Sequence, residues 1–236
     1  MIPKIVHQVW DSKNERIPKS FKDFAATWKN NNSEWKYESW NKKRMDIFVR
    51  KFYPEFAPVY FGYKYDVQRW NVIRYLILYT FGGVYVDFDC ECLKSIDEYL
   101  RDKNCIFGLE PQEHAKLLNK EFIVSNAFIA SKKGHPFLQY IIEGLPRIES
   151  KAKDKVKVVM ETSGVLMLTS SYESWIEKNH VYLFPSTYIS PMSRREVQMY
   201  LRGEISEQAA EKKTRRRLCR TLSVAFMVKR NYPDEF

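Results

Sequence analysis

Between Asp66 and Asp89 the chain passes through a helical pattern, two adjacent glycines, a run of strand character and two carboxylates one residue apart. Few folds accommodate that order. Apolar residues at 67, 70, 73, 77 and 81, with a second stripe through Leu76 and Tyr79, predict a helix from Asp66 to Phe81 that is buried on more than one side. Gly82-Gly83 breaks it, and Val84-Tyr85-Val86 turns it into a strand. Side chains alternate in a strand, so Val84, Val86 and Phe88 predict one apolar face, and Tyr85, Asp87 and Asp89 share the other. If the strand stays extended through Asp89, the two acids sit roughly 7 Å apart at its carboxyl end.

Open α/β sheets bind ligands beyond the carboxyl ends of their strands. Two hard oxygen donors there suit Mg²⁺ or Mn²⁺, which are commonly held by one or two carboxylates with substrate phosphates completing the shell. An isolated Asp-x-Asp is usually no more than a polar strand end. Here it follows a buried helix carrying Asn71 and Arg74, and two polar heads on an otherwise apolar helix require partners. Arg74 has its own structural reading, an ion pair with a nearby acid.

The run from Arg74 through Gly82-Gly83-Val84-Tyr85-Val86-Asp87-Phe88-Asp89, with Leu93 to Asp97 after it, resembles the Asp-x-Asp sugar-transferase signature of glycosyltransferase family 32. The family includes yeast initiating mannosyltransferases and bacterial capsule and lipopolysaccharide enzymes, and the clostridial glucosylating toxins are similar at the motif. The opening Ile2-Pro3-Lys4-Ile5-Val6-His7-Gln8-Val9-Trp10 resembles its first strand, and Asn126 to Ser131 with Gly134-His135-Pro136 is similar to a second block near the acceptor side. The resemblance implies a GT-A type fold, a mostly parallel sheet flanked by helices. It implies Asp89, supported by Asp87, as the holder of Mn²⁺ or Mg²⁺, and Arg74 as a contact to donor phosphate or sugar. Trp10 would seat the nucleotide base, Tyr85 and Asp87 would orient ribose and sugar, Gly83 and Asn71 would join the donor site, and Asn126 would face the acceptor. Three departures stand out. Asn71 occupies a position where the family usually has Asp, Val165 follows Thr162-Ser163-Gly164 where proline is usual, and no terminal His-x-x-Trp loop follows Trp175.

Trp10 and His7 also have plain readings as a core aromatic and a satisfied core histidine. Elsewhere the pattern predicts a helix over 17–28, a short strand near Trp35 to Ser39, a helix from Lys43 to Tyr53, and an aromatic loop from Tyr60 to Tyr65. Short strands are expected at 105–109 and 122–131, with a helix from Phe137 to Leu145 and a solvated basic stretch over 151–157, and Val181 to Pro185 resembles the family's late strand.

With 236 residues, 44% of them hydrophobic, the chain can bury one sizeable core. We expect a catalytic domain over 1–203 and a tail over 204–236, a basic amphipathic helix that lies on a membrane rather than in the core. Its cations Lys212, Lys213, Arg215, Arg216, Arg217 and Arg220 precede Leu218, Leu222, Ala225, Phe226 and Val228 at largely helical spacing. The net charge of +10 points to an anionic partner. Four cysteines without regular spacing read as reduced thiols in a cytoplasmic compartment, and no apolar run is long enough to span a bilayer. Two functions follow. The favoured one, which the resemblance implies, is a retaining, metal-dependent transferase that moves a hexose from UDP- or GDP-hexose to a bacterial surface glycan or lipid-linked acceptor, peripheral on the inner face of a membrane, with no nucleic acid as partner. The other is a basic module that binds polyanions or membrane through its lysines and carries an inactive site.

Overall fold

The computed structural model describes residues 1–11, 17–190, 192–206, 208–209 and 218–221. Its central sheet has six strands in the order β2-β1-β3-β6-β5-β7: β1 Ile5–Val9, β2 Lys36–Trp40, β3 Gly83–Val86, β5 Cys105–Leu109, β6 Val124–Ser131 and β7 Tyr182–Phe184. β1 is parallel to β2 and β3, β5 is parallel to β7, and β6 runs against both of its neighbours. Five strands therefore point the same way, and their carboxyl ends share one edge with the start of β6. A second, two-stranded sheet joins β4 Cys90–Cys92 to β8 Cys219–Thr221, antiparallel.

Helices cover both faces of the large sheet. In chain order they are α1 Lys19–Asn31, α2 Lys42–Phe52, α3 Ala57–Gly62, α4 Asp66–Phe81, α5 Asp97–Leu100, α6 Gln112–Leu117, α7 Pro136–Gly144, α8 Lys155–Thr162, α9 Val165–Ser174, α10 Ser186–Ile189 and α11 Arg194–Leu201. Their starts follow local chemistry. Asn41 accepts from the Arg44 amide to cap α2, and His135 accepts from Phe137 N while Pro136 takes the first position of α7. α4 begins where Gln68 folds back to accept from Tyr65 N, and it ends on Gly82 at φ 68°. Between those caps the nine residues Gln68, Asn71–Leu78 are all buried, so α4 is an interior helix whose polar residues must find protein partners.

The sheet divides the core. Trp40, Phe48, Ile77, Tyr85, Phe107 and Phe137 pack on the α4 face; Val6, Val84, Val86, Trp28, Phe128 and Phe184 pack on the α1 face. The predicted parity of β3 thus holds through Val86, and the strand stops there. Asp87 leaves it, Phe88 and Asp89 form a turn, and Phe88 joins a small cluster with Phe21 and Ala25. The acids are therefore not on one extended strand, because the chain must turn to enter β4, where Trp28 Nε1 donates to Cys90 O.

Four other expectations change. The aromatic stretch near Tyr60 begins as the helix α3, started by Ala57-Pro58, and the basic stretch near 155 becomes α8, capped by the Asp154 carboxylate on Lys157 N. α6 was not expected at all. In the tail, Leu218 is buried in the core with Leu93 N donating to its carbonyl, and residues 219–221 pair with β4, so this stretch is a docked strand and not part of an amphipathic helix. The cations at 212, 213 and 215–217, and the apolar residues from 222, lie outside the described residues. Cys90, Cys92 and Cys105 are buried and form no disulfide among the described residues. Among the described residues no helix is long and apolar enough to cross a membrane.

Candidate active site

The site is built where α4 passes behind the carboxyl end of β3. Arg74, Asp87 and Asp89 are 3%, 9% and 4% exposed, a concentration of charge that demands compensation. Arg74 Nη1 lies 3.2 Å from Asp87 Oδ1 and donates to Asn126 O at 2.7 Å, while its Nε donates to Trp70 O. The guanidinium carbon stands 4.6 Å from the centre of the Tyr85 ring, and the Tyr85 hydroxyl donates to the same Asp87 Oδ1 at 2.6 Å. Parity delivers that last contact, since residues 85 and 87 fall on one side of the chain.

These contacts decide the charges. Burial pushes the Asp87 carboxyl up, the Arg74 charge and the Tyr85 hydrogen bond pull it back, and the Glu110 charge raises it again. Burial alone would lower Arg74, yet the fields of Asp87, Tyr85, Tyr75 and Asp89 hold it above its ordinary value. The ion pair is the form the geometry favours, because Oδ1 receives both a cation and a hydroxyl. Burial also raises Tyr85 well above the ordinary phenol value, so its hydroxyl remains a donor.

Asn71 and Asn126 are brought beside this cluster in a neutral network. Asn71 Nδ2 donates to Ser163 Oγ, Asn126 Nδ2 donates to Asn71 Oδ1 and to the Tyr75 hydroxyl, and that hydroxyl donates to Ser163 O. Gln68 adds a bond to Thr162 Oγ1 at 2.7 Å. The network fastens the α8–α9 turn to α4, and Asn126 serves through its carbonyl as a rest for Arg74. Both asparagines are buried, and the side-chain NH₂ group of each donates to protein partners.

Trp10 is also brought in. It leaves the end of β1, packs edge-on against Phe21 and Phe88, and shares a cleft of about 40 Å³ with Asp11, Trp70, Arg74, Asp87 and Asp89. That volume is far below the roughly 300–1,000 Å³ of a pocket that encloses a whole ligand, so the cleft has room for only part of one. Gly83 is not brought in. It lies at the amino end of β3 against β1, four positions before Asp87, where a Cβ would stand 2.5 Å from Ile5 O.

Sequence reasoning missed three participants. Asp11 accepts from Trp70 Nε1 at 3.1 Å and lines the cleft, though its place directly after Trp10 was the available signal. Trp70 was visible only as one apolar position of α4. Glu110, at the end of β5, pairs with His114 Nδ1 at 3.0 Å, and its charge reaches Asp87; nothing local marks it, because β5 is two strands from β3.

The donor set fits a hard divalent cation of the kind completed by a ligand. Asp87 spends Oδ1 on Arg74 and Tyr85, Asp89 lines the same cleft, and among the described residues no group of three or more His, Cys, Asp or Glu forms a protein-only cage. Two carboxylates with room for phosphate oxygens are what Mg²⁺ or Mn²⁺ takes at a diphosphate.

Residues 18–106 match the family described as "Glycosyltransferase sugar-binding region containing DXD motif". The chain is 30% identical over 174 residues to inositol phosphoceramide mannosyltransferase 3 of Schizosaccharomyces pombe, covering 74% of this chain and 46% of that protein. It is 29% identical over 196 residues to uncharacterized glycosyltransferase L373 of Acanthamoeba polyphaga mimivirus, covering 81% and 74%. It is 28% identical over 161 residues to the initiation-specific alpha-1,6-mannosyltransferase of Candida albicans, covering 59% and 41%. The chain spans about half the length of the yeast relatives it matches. Among solved structures, PaToxG glycosyltransferase superposes with a TM-score of 0.50 at 15% identity, covering 90% of this chain and 78% of that one, a likeness of fold. The reversed β6 in an otherwise parallel sheet agrees with the GT-A type.

Proposed function

Because this chain belongs to the glycosyltransferases whose sugar-binding region carries the Asp-x-Asp motif, we propose that it moves a hexose from a nucleoside diphosphate donor to a hydroxyl of a glycan or lipid-linked acceptor. The observation that carries the reading is the buried Arg74–Asp87–Tyr85 cluster, set with Asp89 and Trp10 around one cleft at the carboxyl end of β3. The names of the relatives make a mannosyl donor the first to test, supplied as GDP-mannose with UDP-hexoses beside it, and an inositol-bearing lipid the first acceptor.

Asp89 and Asp87 Oδ2 would hold Mn²⁺ or Mg²⁺, which supplies a Lewis acid for the departing diphosphate when bound. Arg74 sets the orientation of Asp87 and adds positive charge at the cleft, and Tyr85 acts through Asp87 as a positioning residue. Trp10 offers its ring to the base. Transfer with retention at the anomeric carbon is part of the reading, with the leaving phosphate accepting the acceptor's proton. A lipid acceptor would place the chain at an anionic membrane surface in a reducing, cytoplasmic compartment.

The test is Asp89→Asn. Asparagine keeps the size of this buried turn side chain, so the variant is expected to remain folded. Its Mn²⁺-dependent turnover of GDP-mannose should fall on the order of 10²-fold or more, as for loss of a group that stabilises transition-state charge. Equal turnover of the two proteins would overturn the assignment.

A further inference from the structure

Asp11 holds its two oxygens in unequal states. Oδ2 accepts from Trp70 Nε1 at 3.1 Å, which pins the carboxylate against α4. Oδ1 is buried and, among the described residues, has no hydrogen-bond partner. Buried polar atoms in folded proteins are nearly always satisfied, and an exception calls for a cause. The carboxylate lines the same cleft as Trp10, Arg74 and Asp87, so the free acceptor belongs to a place where a ligand is expected.

Resting on the proposed donor site, we infer that Asp11 is a specificity residue for the donor's nucleoside, accepting through Oδ1 a hydrogen bond from a base N–H or a ribose O–H. A carboxylate accepts and does not donate, so the ligand group must carry a proton. Ionised phosphate oxygens carry none and are repelled, which keeps the diphosphate on the Arg74 side. The next residue back, Trp10, is the aromatic that offers its face to the base, so a group one residue along falls at the nucleoside and not at the transferred hexose. Two sources have the right chemistry: the N–H edge of the base and the ribose hydroxyls.

The experiment is calorimetry on the full chain with Mn²⁺, using GDP, UDP, their 2′,3′-dideoxy forms and inorganic pyrophosphate. Asp11→Ala should weaken the preferred nucleoside diphosphate by about tenfold or more, the loss expected for a hydrogen bond to a charged acceptor, and leave pyrophosphate binding unchanged. Trp70→Phe, which frees the carboxylate without removing it, should give a smaller loss. If the wild type's advantage over Asp11→Ala persists with the dideoxy forms, the base edge is the partner; if it vanishes, the ribose is. The unfolding temperature of nucleotide-free Asp11→Ala should be unchanged or higher, since an unsatisfied acceptor has been removed. Equal weakening of pyrophosphate, or lower nucleotide-free stability with nucleotide affinity intact, would overturn the inference. A wild type that binds no nucleoside diphosphate would remove the donor site itself, whereas wild type and Asp11→Ala binding GDP and UDP alike would remove only the role of Asp11.

Discussion

The two ends of β3 are four residues apart and are buried alike, yet they are opposite in kind. At the amino end Gly82 and Gly83 adopt φ of 68° and 103°, and Cβ atoms there would stand 2.7 Å from Pro3 and Lys133 N and 2.5 Å from Ile5 O. His7 beside them is neutral and complete: Trp40 Nε1 donates to its Nδ1, and its Nε2 donates to Gly82 O. Both ring nitrogens of His7 have protein partners, and no room remains for a Cβ at either glycine. At the carboxyl end Arg74, Asp87 and Asp89 put three charges around a cleft, with Glu110 close enough to be felt. The difference teaches that burial alone does not mark function. A saturated polar group fixes the backbone, whereas surplus charge held in place keeps capacity for a ligand.

The largest effect expected from testing that contrast comes from Arg74→Leu. Removing the cation strands Asp87 without its partner and should cost about 3–5 kcal/mol of stability in chemical denaturation. Adding Asp87→Asn should return much of the stability and none of the turnover. An Arg74→Leu protein as stable as the wild type would show that the pair is not what holds this end together.

Gly83→Ala breaks the other end. A side chain at φ 103° meeting Ile5 O should cost about 2–4 kcal/mol in strain and overpacking. The folded fraction should nevertheless bind nucleotide as the wild type does, because no ligand group is near. A specific loss of affinity at unchanged stability would place Gly83 in the donor site after all.

Acid sharpens the comparison next. Burial lowers His7 to about 4, so the folded state keeps it neutral while the unfolded chain protonates it below its ordinary 6.5. The unfolded state then binds more protons, and stability falls as pH drops from 6.5 toward 4, by about 2 kcal/mol at pH 5. His7→Gln should flatten that part of a stability profile measured by denaturant at successive pH values. A profile as steep in the variant would assign the acid loss to other groups.

The smallest effect belongs to Asn71→Asp. The family's acid would lose the bond that Asn71 Nδ2 donates to Ser163 Oγ and add charge beside an Arg74 already shared with Asp87. We expect a loss of about 1 kcal/mol, the ordinary size of one hydrogen bond, with donor affinity little changed by calorimetry. A tenfold gain in affinity would make residue 71 a donor contact rather than a fastener.

Much of this molecule follows from the order of its residues alone. The α4 boundaries, the glycine stop and the facing of Tyr85 against Val84 and Val86 are periodic and local, so the chain states them directly. The acids and Arg74 were visible because each lies within one helix-to-strand step. Tertiary structure alone decided the rest. It turned the chain at Phe88, so that Asp89 enters the cleft from a turn; it placed Asn126 under Arg74, 52 residues away; and it set Asp11 against Trp70. It also drew residues 218–221 onto β4. The physical reason is that sheet order and strand pairing depend on which apolar faces bury one another across the whole chain, and no local period records which strands become neighbours.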